Sequence, residues 1–183
     1  MGTISETRTA LPTGTWQVDP VHSTVEFSVK HMIVANFRGG FDAFDVTVDE
    51  AGIRGTVEVA SVRVSEPNLT RHLLSPDFFD AERHPQLSFD SATIGITDDA
   101  LVVDGELTLK GVTRPVAIRG TVSGPVTSFD GSSRLGLELE TIIDRTAYGL
   151  DWNAPLPTGG FAVGNDVKLH AELELELVLA EEA

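Results

Sequence analysis

The stretch WQVDPVHSTVEFSVKHMIVANFRGGF, residues 16–41, decides the fold. Apolar and polar side chains alternate along residues 24–34, which is typical of a strand with one buried face. Asp19-Pro20 precedes this alternation and Gly39-Gly40 follows it, and both pairs favour turns. We therefore predict a strand at residues 24–34, with a short strand at residues 16–18 before it.

The same alternation recurs along most of the chain. It is longest near the C-terminus, where every second residue from Val167 to Leu177 is apolar. A helix cannot make one apolar face from that spacing, so we predict a strand there. The alternation changes phase near Asp42-Ala43, at Ser61 and between Phe89 and Ile94, and each change requires an irregularity such as a bulge.

Two regions lack a strand pattern. Within residues 67–85, Ser75-Pro76-Asp77 predicts the start of a short helix, with a serine N-cap and an early proline. Residues 149–160 are rich in Gly and Pro and predict a long irregular loop. The whole pattern predicts an all-β fold, an antiparallel barrel of about eight strands with one or two short helices. We assign the barrel to residues 15–183 and a flexible tail to residues 1–14.

Composition narrows the possible partners. The formal net charge is −15, and such a surface repels nucleic acid and disfavours permanent attachment to anionic membranes. The chain contains no cysteine, which excludes disulfides, thiolate catalysis and cysteine metal ligands. The N-terminal residues contain no apolar core of a signal peptide, so we expect a cytoplasmic protein.

Polar clusters give only weak signals of chemistry. Asp19, His22 and Ser23 are too close in sequence for the geometry of a catalytic triad, so we interpret residues 19–23 as a turn in which Asp19 or Ser23 accepts backbone amides. The histidines show no compact spacing of metal ligands, and we predict no metal site. The periodicity also leaves open whether the barrel is filled by its own side chains or holds one small ligand.

Several motifs together resemble one family. They are DPVHSTVEFSVKHM (19–32), GGF (39–41), HLLSPDFFDAERHPQLSF (72–89), LTLKGVTRPV (107–116) and RTAYGLDWN (145–153). In this order they resemble the YceI-like family, whose members are similar to lipocalins. The resemblance implies an eight-stranded barrel whose long apolar cavity holds polyisoprenoids or other long-chain amphiphiles. One departure is that Leu69 and Thr70 stand where the family often has an Arg-Asp pair.

From the resemblance and the inward aromatic residues we predict a carrier or store for a long apolar molecule, such as an isoprenoid or isoprenoid quinone. We predict no catalytic residue and no cofactor besides such a bound lipid, and a homodimer is possible. The alternatives are an enzyme for a hydrophobic substrate, with His22 or His31 as acid–base, and a solid barrel for protein contact. The predicted ligand-binding residues are Val25, Phe27, Val29, His31, Phe41, Phe44, Phe78, Phe79, Phe89, Leu107, Leu137, Ile143, Arg145, Tyr148, Trp152, Phe161 and Leu173.

Overall fold

The computed structural model describes residues 10–179, which form eleven strand segments and one α-helix. They are β1 (Thr15–Val18), β2 (Thr24–His31), β3 (Ala35–Phe41), β4 (Phe44–Asp49), β5 (Gly52–Glu58), β6 (Val62–Arg63), α1 (Pro67–Leu74), β7 (Gln86–Thr97), β8 (Ala100–Leu109), β9 (Val112–Thr127), β10 (Ser133–Asp144) and β11 (Val163–Val178). Of the predicted tail, residues 1–9 lie outside the described part. Leu11 packs against the core, and the Trp16 indole donates to the carbonyls of Pro12 and Thr13.

The segments pair into one closed barrel. Each segment from β7 to β11 pairs antiparallel with the next, and β1 pairs with both β4 and β11, so the sheet closes on itself. Six of the segments belong to three longer strands that are each interrupted once: β1 with β2, β3 with β4, and β5 with β6. Together with β7 to β11 they make eight, and the predicted all-β antiparallel barrel is confirmed.

The interruption between β1 and β2 is the predicted turn. The Asp19 carboxylate accepts the amide of Val21 at 3.0 Å, and the Ser23 hydroxyl accepts the amide of Glu174 at 2.9 Å. Ser23 is therefore engaged with the backbone of β11, while the His22 ring bonds to Asp19 at 2.9 Å. Strand β2 ends at His31 rather than at residue 34, because Met32 and Ile33 have φ angles of 53° and 70°, outside the extended region.

The predicted phase changes appear as breaks in the strands. Phe41 and Phe44 both face the interior although they are three residues apart, because β3 ends and β4 begins between them. A single-turn helix at Val59–Ser61 makes the matching break between β5 and β6. Between β7 and β8 the change is a register shift at residues 91–93.

The predicted start of the helix at Ser75 is wrong. Helix α1 begins with Pro67 in its first turn, and the Glu66 carboxylate accepts the amides of Asn68 at 3.0 Å and Leu69 at 2.8 Å. Ser75 ends the helix instead, and its hydroxyl donates to the carbonyl of His72 at 2.6 Å. The proline and capping carboxylate favoured at a helix start therefore occur one segment earlier than predicted.

The interior of the barrel is divided into two halves. One half is packed with side chains. It contains β1, the turn from β4 to β5 and the turn from β7 to β8, and its central side chains are at most 2% exposed. They are Trp16, Val48, Ile53, Leu101, Val103, Val122, Leu135, Leu137 and Leu175. The other half lies below α1 and contains most of the phenylalanines, and many of its inward side chains are only partly buried. This difference locates the candidate site.

Candidate ligand cavity

A cavity of about 410 Å³ occupies the barrel half below α1. Inward side chains of strands β2 to β5 and β7 to β11 form its wall, and residues of α1 and of the loop before β11 cover it. Val46, Ile53, Leu139 and Leu173 form its floor, since they line the cavity and also belong to the packed half. We place the opening beside His31, because this inward residue at the end of β2 lines the cavity and is exposed.

Glycines on the inner wall help to keep this space open. Gly39 faces Phe27 across β2 and β3, and a Cβ atom at Gly39 would lie 2.5 Å from the Phe27 ring. Gly105 pairs with Ser91 rather than with Phe89, and its potential Cβ would meet the Asp90 carbonyl and, at 2.7 Å, the Phe89 ring. Each ring therefore lies against backbone on the neighbouring strand instead of crossing the barrel, which is a known way to cover a glycine in a sheet.

Fourteen of the seventeen predicted ligand-binding residues lie on the cavity wall. They are Val25, Phe27, Val29, His31, Phe41, Phe44, Phe78, Phe79, Phe89, Leu107, Ile143, Arg145, Trp152 and Leu173. The other three lie elsewhere. Leu137 belongs to the packed half at 2% exposure, Tyr148 is buried at 2% rather than at the rim, and Phe161 is 59% exposed outside the cavity.

The sequence prediction omitted the residues of α1 that face the cavity. Leu69, His72 and Leu73 all line it, and their spacing of three and four residues places them on one face of the helix. The helix was predicted to start at Ser75, so the helical spacing of these three residues was not recognised. The prediction also omitted Val167, Leu169 and Ala171 of β11, although the alternation along that strand had marked them as inward.

Three rings form an aromatic cover over the cavity. His72 of α1 packs edge-on against Phe78 and Trp152, with ring centroids 4.9 Å and 4.6 Å apart, and Phe78 lies 5.6 Å from Trp152. The His72 Nε2 atom is also 3.1 Å from an Asp77 carboxylate oxygen. The cover thus joins α1 to the loop before β11 through side chains alone.

Arg145 holds that loop in place from inside. The residue is 4% exposed, and its guanidinium donates to the carbonyls of Gly164 at 2.7 Å, Trp152 at 3.0 Å and Val163 at 3.3 Å, and also to that of Leu150. Within residues 10–179 it makes no salt bridge. Burial lowers the pKa of Arg145, but the side chain stays cationic because a guanidinium titrates far above neutral pH.

A second polar cluster lies at the opposite end of the barrel. Asp19, His22 and Glu174 come close together, but the Arg134 guanidinium approaches Asp19 at 3.1 Å and Glu174 at 3.5 Å. This cation offsets one of the two negative charges and occupies the space between the carboxylates. The hydrogen bond to His22 lowers the pKa of Asp19, and the same bond raises the pKa of His22. The cluster therefore acts as a charge network between β10, β11 and the turn before β2.

The fold and the cavity together define a lipocalin-like class of barrel, closed, antiparallel and hollow at one end. Among the described residues, no helix has the length and apolar character needed to span a bilayer. Comparisons with known proteins identify its family.

The model of the YceI-like domain matches residues 16–175, and the chain belongs to this family. UPF0312 proteins of Staphylococcus aureus, for example from strain N315, are 34% identical over 170 residues, which are 87% of this chain and 95% of theirs. The crystal structure of BcnA from Burkholderia cenocepacia has a TM-score of 0.73 and 25% identity, covering 86% of this chain and 98% of that one.

A polyisoprenoid binding domain from Saccharophagus degradans has the same fold at a TM-score of 0.70. Its sequence is 14% identical, and the match covers 89% of this chain and 98% of that domain. A YceI protein from Campylobacter jejuni has a TM-score of 0.68 at 23% identity, over 82% of this chain and 90% of that one. At these identities the likeness concerns the fold.

Proposed function

We propose that this protein binds a long-chain apolar molecule, an isoprenoid, an isoprenoid quinone or a similar amphiphile, and carries or stores it without changing it. The observation that supports this most is the cavity below α1, whose inner wall is formed largely by aliphatic and aromatic side chains. Burial of a hydrocarbon chain there would contribute about 25 cal/mol per Å² of apolar surface removed from water. The polyisoprenoid-binding name of the Saccharophagus domain supports the same ligand class.

The size and direction of the cavity indicate how such a ligand would lie. Ligand pockets generally measure about 300–1,000 Å³, and a volume of about 410 Å³ lies in the lower part of that range. The tail would point to the packed floor at Ile53 and Leu173, and the head group to His31 at the opening and to the one N–H group of the buried Arg145 that no loop carbonyl accepts. A chain longer than the cavity would extend through the opening or displace the aromatic cover.

Leu69 favours a ligand with a wholly apolar middle section. It lines the cavity at the place where the family often has a charged residue, and the neighbouring Thr70 hydroxyl donates back to the Glu66 carbonyl at 3.4 Å. This part of the wall therefore offers hydrocarbon rather than a guanidinium, so a polar group on the ligand would be selected against here.

Two measurements test the proposal directly. Organic extraction of the purified protein, followed by mass spectrometry, should yield a long-chain lipid, and the emptied protein should take up a fluorescent fatty acid. Ala171→Phe would fill the cavity from the inner face of β11 and should abolish uptake. Ile142→Phe adds a similar ring outside the barrel, where Ile142 is 63% exposed, and should leave uptake intact. No lipid and no uptake by the native chain would disprove the proposal.

A hydrophobic-substrate enzyme is the second candidate, and the position of His31 at the cavity opening supports it. His22 does not share this position, because it lies in the turn between β1 and β2 and is absent from the cavity wall. Turnover of a bound lipid that His31→Ala abolishes, while uptake persists, would favour this candidate. The internal cavity argues against the solid barrel. The homodimer and the cytoplasmic location stay predictions.

A further inference from the structure

An apolar tip protrudes beside the cavity opening. We define the apolar tip as Met32, Ile33, Val34 and Phe161, whose side chains are 45%, 61%, 85% and 59% exposed. The first three join β2 to β3, and Phe161 belongs to the loop before β11. The two parts are in contact, because the Met32 amide donates to the Ala162 carbonyl at 2.8 Å and the Ile33 side chain packs at Gly160.

The backbone holds these side chains outward. Met32 and Ile33 both have positive φ angles, and a β-branched residue such as isoleucine rarely adopts that conformation. Such strain persists only where the surroundings fix it, and it clusters at functional segments. The turn between β2 and β3 thus presents three apolar side chains in succession to solvent, where polar or glycine residues are usual.

The apolar tip is continuous with the cavity. His31 and Ala162 line the cavity, and each is the sequence neighbour of a tip residue, Met32 and Phe161 respectively. An apolar molecule that leaves the cavity beside His31 therefore meets the tip first. A surface placed in this way can hold the cavity opening against the source of an apolar ligand.

Two cations lie on the strands that lead to the tip. Lys30 on β2 and Arg38 on β3 are exposed, and within residues 10–179 neither side chain makes a salt bridge or a hydrogen bond. Among the described residues Arg83 and Arg119 are also without such partners, so what distinguishes Lys30 and Arg38 is their position on the strands that lead to the tip. At physiological ionic strength charges are screened over about 8 Å, so the distant carboxylates act weakly at this face. Asp151 and Asp166 lie at the same end and offset part of the charge.

We propose that the apolar tip inserts into the surface of a phospholipid bilayer, with Lys30 and Arg38 at the lipid phosphates, so that the opening loads or unloads its ligand there. This proposal rests on the proposed function, since it names where the ligand is exchanged. An apolar group flanked by cations is the pattern that binds bilayer interfaces. Four residues are too few for a stable dimer, which buries roughly 800 Å² per partner.

Sedimentation with extruded vesicles tests the docking. Vesicles of phosphatidylcholine with one third phosphatidylglycerol should bind the full chain, and Ile33→Ser/Val34→Ser should weaken binding by about tenfold or more, because two apolar side chains no longer insert. Val34→Asp alone changes the most exposed tip position. It should also weaken vesicle binding, and it leaves the contact between Ile33 and Gly160 in place. Lys30→Glu/Arg38→Glu should remove the preference for phosphatidylglycerol.

Phe129→Ser is the matched control. Phe129 is fully exposed in the turn between β9 and β10, at the other end of the barrel, so its loss should not change vesicle binding. Three results would overturn the proposal. They are no vesicle binding by the native chain, an equal loss of vesicle binding in Phe129→Ser, and a tip variant that turns a dimer into a monomer. Uptake of a fluorescent fatty acid from solution is measured in parallel. Uptake without vesicle binding would refute the docking alone, and vesicle binding without uptake would refute the proposed function alone.

Discussion

The ring of Phe27 lies against the backbone of Gly39, so close that a Cβ atom there would stand 2.5 Å from the Phe27 Cζ atom. The two residues face each other across β2 and β3 on the inner side of the barrel. A side chain in place of Gly39 would need the room that the ring now occupies. The ring would then turn into the cavity, because the wall behind it is backbone.

Gly39→Ala is therefore expected to shrink the cavity. The added methyl group should cost about 1–3 kcal/mol of stability through overpacking, and it should reduce uptake of a fluorescent fatty acid. Fluorescence titration and urea unfolding measure the two effects. Gly95→Ala is the control, since its Cβ would meet only the Val102 carbonyl at 3.9 Å. The double variant Gly39→Ala/Phe27→Leu should recover uptake, and failure to do so would place the effect elsewhere.

The fold was predictable because the alternation of side chains is a local signal. Strand β11 shows it from Val167 to Leu177, and the pairing of most strands with the next follows from short turns. The helix was less predictable, since Ser75 is a typical N-cap residue and the chain uses Glu66 instead. Both residues precede a proline, and only the three-dimensional contacts of α1 distinguish them.

The extent of the cavity could not be derived from the sequence. Leu137 and Ile143 lie on the same strand and the same face, yet Leu137 is packed in the closed half and Ile143 lines the cavity. Which of the two residues lines the cavity depends on side chains from distant strands and on the tilt of the strands in the barrel. Tyr148 shows the same limit, because its burial at 2% exposure depends on packing among side chains from separate elements.

Replacement of Arg145 should loosen the loop before β11. Arg145→Met removes a donor from four carbonyls, of which that of Val163 keeps the Asn153 amide as a donor, and should cost about 3 kcal/mol, since each buried unsatisfied group costs about 1–3 kcal/mol and relaxation recovers part. Arg145→Lys should recover little, because an ammonium cannot serve four acceptors arranged around a planar group. Urea unfolding gives the total, and hydrogen exchange at residues 149–164 gives the local effect. Arg119→Met on the outer surface should be nearly neutral.

The pair of His22 and Asp19 should make stability depend on pH. The pKa of His22 is raised from 6.5, so its contribution is complete below pH 6.5 and is lost as the pH rises through the folded value. The pKa of Asp19 is lowered from 3.8, so its contribution is present above pH 3.8 and is lost as the pH falls through the folded value. The pair is therefore most stabilising between these two pH values.

Melting temperatures of the native chain and of His22→Gln test this dependence. The difference between them should be larger at about pH 5 than at about pH 8.5, because the imidazolium is present only at the lower pH. In an Asp19→Asn background the same replacement should depend much less on pH, since only Glu174 then still favours the imidazolium. An equal difference at both pH values would show that the bond between Asp19 and His22 holds no charge.

Trp152→Ala should open the aromatic cover. The change removes the ring contacts with His72 and Phe78, each worth about 0.5–1.5 kcal/mol beyond burial. We expect lower stability and faster release of a bound fluorescent fatty acid, measured by stopped-flow competition. Trp152→Phe keeps part of the cover and should release the ligand at an intermediate rate. Unchanged release in Trp152→Ala would show that the ligand leaves by another path.

Leu69→Arg should weaken the binding of a purely hydrocarbon chain. Leu69 is half-buried on the cavity wall, and a guanidinium there would lose hydration without a partner, which favours a retreat of the side chain to solvent or a wetter cavity. Leu69→Met keeps the volume and should cost less than about 1.5 kcal/mol. Leu69→Arg/Thr70→Asp supplies the missing carboxylate next to the cation and should recover stability.

The double variant separates two explanations for the apolar residue at this position. If Leu69 serves only packing, stability and uptake of a hydrocarbon probe should recover together when the second substitution, Thr70→Asp, neutralises the new charge. If Leu69 selects the ligand, stability should recover while uptake stays low and shifts toward probes with a polar group in mid-chain. Titration with fluorescent fatty acids that carry or lack a mid-chain hydroxyl distinguishes the two, because only the second explanation changes their order.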